Sequence, residues 1–191
     1  MKKIILIVFI SFTHAIGYAQ FYKTILPSAD FTAALEKIVL DYRLDYHTIQ
    51  VDSLHSREND YEIYGSSVTL PGSTNSEILR FHSIDDTTAA FQTNFYTGDD
   101  FNAAAKAYEN CIGMIKKSKM KWIDRRVITF SGKEEKPDQG LGFAISTLRL
   151  SLDDERYKNF CAQIEIRGDV TGWQVNASFL YKRSDTEGPT E

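Results

Sequence analysis

Cys111 and Cys161 are the only thiols in the chain, and His14, His47, His55 and His82 its only imidazoles. A thiol nucleophile needs a base to draw off its proton. No histidine stands within twenty residues of either cysteine. A zinc site would show Cys-x-x-Cys or two histidines one helical turn apart, and neither spacing occurs. A serine elbow, a phosphate loop and a dinucleotide fingerprint are also absent, so the machinery for acyl transfer, phosphoryl transfer or hydride transfer is not in view. The expectation is a chain with no metal, no cofactor and no legible catalytic set.

Acidic and basic clusters carry the remaining chemistry. Asp85-Asp86, Asp99-Asp100 and Asp153-Asp154 are candidate calcium oxygens. A calcium loop, however, spaces its oxygens at alternate positions, and adjacent aspartates suit turns and helix starts better. A glycosidase-like carboxylate pair could come from any two of the 26 acidic residues, and spacing does not choose between them. Lys116, Lys117, Lys119, Lys121, Arg125 and Arg126 form one basic cluster. It could dock an acidic partner or an anionic surface. It could equally be the cationic end of a helix, where the dipole is negative, followed by a wet strand. A net charge of -4 argues against nucleic acid as a partner.

The elements that would position these residues follow from periodicity. Phe31, Ala34, Leu35, Ile38, Val39 and Tyr42 repeat at helical spacing, as do Phe101, Ala104, Ala105, Tyr108, Cys111, Ile112 and Ile115. Asp30 and Asp99 or Asp100 are placed to cap these helices. Three later segments alternate with a period of two: Leu148, Leu150, Leu152; then Phe160, Ala162, Ile164, Ile166; then Trp173, Val175, Ala177, Phe179 and Tyr181. Strands with one apolar and one polar face belong to antiparallel sheets, and only the helices can cover the apolar side. The fold expected is α+β: one antiparallel sheet of six to eight strands with two helices packed on one face.

Short matches in the same order suggest tandem duplicated helix-plus-three-strand units, over residues 28–98 and 99–183. Asp30-Phe31-Thr32-Ala33-Ala34 answers Asp100-Phe101-Asn102-Ala103-Ala104. Leu79-Arg80-Phe81 answers Leu148-Arg149-Leu150, and Phe91-Gln92 answers Ala162-Gln163. Polar insertions at residues 51–60 and 133–141 are expected to be loops. Residues 20–184 then make a single domain. Residues 20–26 could add an edge strand, and residues 185–191 form a polar tail expected to be disordered.

The open face of that sheet is where binding is expected. Its residues would be Arg80, His82, Gln92, Asn94, Tyr96, Arg149, Gln163, Glu165 and Arg167, with Gln174 and Asn176. Phe91 and Phe95 would face the core. A broad mixed polar surface suits protein recognition, or is simply solvated. Cys111 falls on its helix's apolar face and Cys161 on its strand's polar face, which would put the sheet between them. A β-bulge near residues 157–161 would reverse that and permit a disulfide.

Residues 1–19 read as an export signal. Lys2 and Lys3 precede an apolar run at residues 4–12, and Gly17 and Ala19 supply the small residues for cleavage after Ala19, or else after Gly17. The run is shorter than the roughly 20 residues a membrane helix needs. Losing both lysines would leave 20 basic residues against 26 acidic ones. The expectation is an exported, periplasmic or secreted, non-catalytic binding protein with another protein as partner. The alternatives are a carrier of a small apolar ligand between helices and sheet, and a hydrolase with a carboxylate site.

Overall fold

A computed structural model describes residues 26–57, 60–82 and 88–182, without the side chains of residues 52, 53 and 55. The leader, residues 20–25, Asp85-Asp86, the His55 side chain and the tail at residues 185–191 lie outside the described residues.

Helix α1 spans Ala29–Asp41. Its cap is Ser28, whose Oγ accepts from the Phe31 N–H at 3.0 Å, not Asp30 as the sequence suggests. Asp30 instead stands in the first turn, where its charge favours the helix dipole. Helix α2, Phe101–Lys117, is capped by Asp100, which accepts from Asn102 N–H at 2.8 Å. Phe31, Leu35, Ile38 and Val39 of α1 join Ala104, Tyr108, Ile112 and Ile115 of α2 in the core.

Eight strands form the main sheet. They are β1 (Gln50–Arg57), β2 (Tyr61–Ser66), β3 (Asn75–Phe81), β4 (Ala89–Gly98), β7 (Phe130–Lys133), β8 (Phe143–Leu150), β9 (Phe160–Asp169) and β10 (Gly172–Tyr181). The order is β1-β2-β3-β4-β10-β9-β8-β7, antiparallel throughout. Strands β5 (Met120–Lys121) and β6 (Val127–Ile128) make a separate hairpin beside α1. The fold is therefore α+β, with two helices and a large antiparallel sheet.

Four strands, not three, follow α1. Most of residues 51–60 is strand β1, an edge strand with irregular register against β2. The residues that read as a polar loop gain their order from backbone pairing, which side-chain polarity does not report. Two four-strand meanders meet at β4 and β10. Strand order alone does not establish a duplication. One of the matched motifs is also out of phase. Leu148 lies in the core, but its counterpart Leu79 does not.

Directly paired residues point to the same side of a sheet, and this fixes the phase of every strand. Ile78 pairs with Tyr64 and Phe91, and Arg80 pairs with Glu62 and Ala89. Ile78, Ala89 and Phe91 are core. Arg80 therefore shares the helix side with them, and Leu79 and Phe81 lie on the opposite face. On β4 a bulge shifts the register between Asn94 and Tyr96, so that Tyr96 pairs with the core residue Val175.

Candidate functional site

The face of the sheet away from the helices has two unlike halves. The polar half is built on ladders of amides. Asn75, Asn94, Asn176, Glu165 and Ile145 pair in register across five strands, and Glu77, Gln92, Ser178, Gln163 and Thr147 form the next row. Asn94 Nδ2 donates to Asn176 Oδ1 at 3.0 Å, and Thr74 Oγ1 donates to Asn94 Oδ1 at 2.8 Å. Arg167 pairs with Gln174 and Phe143 beyond them. Of the sequence-predicted set, Gln92, Asn94, Gln163, Glu165 and Arg167 come together here, with Gln174 and Asn176; Arg149 is on the same face, in the row beyond Gln163.

The other half is apolar, which the sequence reading missed. Ile63 pairs with Leu79, Leu79 with Ala90, and Leu180 with Cys161; Tyr61 pairs with Phe81, their rings 6.0 Å apart. Tyr61, Ile63, Leu79, Phe81 and Leu180 are all half-buried, and none packs against the core. Ala90 and Cys161 lie beneath them, buried although on the uncovered face. Arg149 closes the row beside Cys161, donating to the carbonyls of Lys158 at 3.4 Å and Lys182 at 3.1 Å. Its guanidinium ties β8 to the end of β10. A signal was present in the sequence: Ile78, Leu79 and Phe81 cannot all share one face of a strand.

Arg80, His82 and Tyr96 leave the expected set. Arg80 donates from Nε to Gln50 Oε1 at 2.6 Å and from Nη2 to the Asp45 carbonyl at 2.9 Å, with His47 Nδ1 at 3.1 Å. These bonds clamp the loop after α1 to the helix side of β3. His82 Nε2 stands 3.2 Å from Glu62 Oε2. Glu62 also accepts from Tyr64 Oη at 2.7 Å and pairs with Arg57. The Tyr64 hydroxyl, the His82 ring and the Arg57 charge hold the Glu62 carboxyl below its usual range. All these groups satisfy one another. Tyr96 turns to the core, and its Oη accepts from the Asp100 N–H at 3.2 Å. The physical cause is the same in each case: one residue of phase, set by register in β3 and by the bulge in β4.

The two thiols are free and buried. Cys111 is in the core, and Cys161 pairs with Leu180 and Arg149 on the other face, so the sheet separates them. Burial raises both thiol pKa values, although Arg149 and Lys182 pull that of Cys161 back in part.

Between helices and sheet the space is filled by rings. Phe91 and Phe179 lie 6.0 Å apart and Phe160 and Phe179 6.5 Å. Tyr46, fully buried, donates to the Phe179 carbonyl at 2.8 Å. A surface groove of about 630 Å³ runs between α2 and residues 134–137. Tyr108, whose hydroxyl bonds that of Ser146 at 2.6 Å, lines it, and Lys116 pairs with Glu134 across it. Among the described residues no three metal-binding side chains converge, and no helix is long and apolar enough to cross a membrane. No protein-family model, curated protein or solved structure matches this chain.

Proposed function

We propose that the protein is a non-catalytic binding protein that recognises another protein through the open face of its sheet. One observation carries this reading. Tyr61, Ile63, Leu79, Phe81 and Leu180 form a contiguous apolar patch that belongs to no core and that nothing in the described fold covers. Single exposed apolar residues are ordinary, but contiguous patches rimmed by polar groups mark interaction sites. Here the rim is Gln92, Ser178, Gln163 and Arg149, one register row away or at the row's end. An apolar centre within a hydrogen-bonding border is the anatomy of a protein interface. Aromatic filling of the interior supports this reading over a carrier of apolar ligands, and the engagement of Glu62 by Tyr64, His82 and Arg57 supports it over a hydrolase centred there. The leader pattern supports export, with maturation after Ala19.

The test is a photo-crosslinking amino acid placed at Leu79 or Leu180 in cells that make the protein, with Lys106 on the exposed side of α2 as the reference. Discrete crosslinked partners from the sheet positions and none from Lys106 are expected. Crosslinks from Lys106 alone would overturn the assignment of the face. A small-molecule adduct in the native mass spectrum would favour the carrier.

A further inference from the structure

We propose that the β5–β6 hairpin and the groove beside it dock on an anionic lipid bilayer. Met120 and Ile128, paired across the hairpin, are buried, which turns Lys121 and Val127 outward. The chain reverses through Trp122–Arg126, closed by Trp122 N–H to the Arg126 carbonyl and Arg125 N–H to the Trp122 carbonyl, both 2.8 Å. At that tip Ile123 is 85% exposed. Across a shallow groove of about 260 Å³ stand Leu40 and Leu44, 40% and 52% exposed. The Trp122 and Tyr157 rings, 5.3 Å apart, line it too.

Charge is sorted around these aliphatic groups. Asp124 and Asp154 are occupied by Arg126 at 2.6 Å and Arg156 at 2.5 Å. Lys119, Lys121 and Arg125 are exposed and make no salt bridge among the described residues, whereas the Arg43 charge acts on Asp154. Along residues 119–126, Lys119, Lys121, Arg125 and Arg126 stand against one carboxylate, Asp124, a local reversal of sign in a chain of net charge -4, beside the exposed Ile123. A bilayer answers both features at once: the acyl boundary takes the apolar tip, and lipid phosphates take the cations. A protruding isoleucine on a short hairpin fits that plane better than it fits a peptide. Each hairpin strand has only two residues, already paired to each other, so it offers little edge to an added strand. The groove lies in the helix layer, so the docked protein keeps its sheet face free. The proposal is independent of the partner-binding reading.

The experiment is co-sedimentation of the chain with vesicles of phosphatidylcholine containing about a third phosphatidylglycerol, against phosphatidylcholine alone. Binding to the anionic vesicles only, and its loss in high salt, are expected. Lys121→Ala and Arg125→Ala should each weaken partitioning about fivefold, and Ile123→Ser should weaken it as well, all with unchanged melting. The N-terminal apolar run is common to every variant, so binding insensitive to all three substitutions would belong to it and overturn the proposal. Absence of binding to anionic vesicles would overturn it, as would capture by an acidic peptide without vesicle binding.

Discussion

Truncating two adjacent residues of β3 tests the phase on which the apolar patch depends. Ile78 is fully buried and packs in the core, whereas Leu79 is half-buried on the other face. Ile78→Ala removes buried methyl groups and leaves a cavity in the core, at a cost of about 2–5 kcal/mol. Leu79→Ala removes a side chain that hides only part of its surface. Full burial of leucine contributes about 1.5–3 kcal/mol, so the half-buried residue is worth about 1 kcal/mol. At about 2–4 °C per kcal/mol for a chain of this size, a mid-range loss of about 3 kcal/mol lowers the melting temperature by about 6–12 °C for Ile78→Ala, against about 2–4 °C for Leu79→Ala. Thermal and urea melts followed by circular dichroism read both. If Leu79→Ala were the more destabilising of the two, Leu79 would be core, Arg80 would face outward, and the apolar patch would not exist.

Other consequences are as direct. Tyr46→Phe leaves the buried Phe179 carbonyl without its donor and should cost about 1–2 kcal/mol in a urea melt; an unchanged midpoint would refute the bond. Asp154 is pushed down to about 2 by hydrogen bonds and charge from Arg156. Its stabilisation is therefore in place above the ordinary aspartate range and is lost as the pH falls through about 2; carbon NMR of the carboxyl group checks the value, and titration near 4 would contradict it. Both thiols should resist a thiol reagent in the folded protein and react in urea, with no change in mass on reduction. A two-dalton gain on reduction would reveal a disulfide and refute the separation by the sheet.

How much of this was legible depended on how one-sided each segment is. Strand β10 alternates cleanly, and Val175, Ala177 and Phe179 are core, as their spacing says. The helices read equally well, since Leu35 and Ile38, or Tyr108 and Ile112, leave no choice of face. Strand β3 carries large apolar residues on both faces, so alternation there has two solutions. The motif match with Leu148-Arg149-Leu150 favoured the wrong one. The basic cluster was visible as charge. What it borders was not, because Leu40 and Leu44 are distant from Ile123 in sequence and meet it only at the groove.

The sequence by itself determined the fold class, the faces of both helices and of the later strands, and the lack of any spaced catalytic or metal motif. Those features are local, written in periods of 3.6 and two that each segment expresses on its own. Tertiary structure alone decided that Arg80 clamps the helix-side loop, that Tyr96 turns inward and that Leu79 and Phe81 turn outward. A period of two specifies that a strand has two faces but not which one meets the core. That choice is made by hydrogen-bond register with neighbouring strands, and a single bulged residue reverses it.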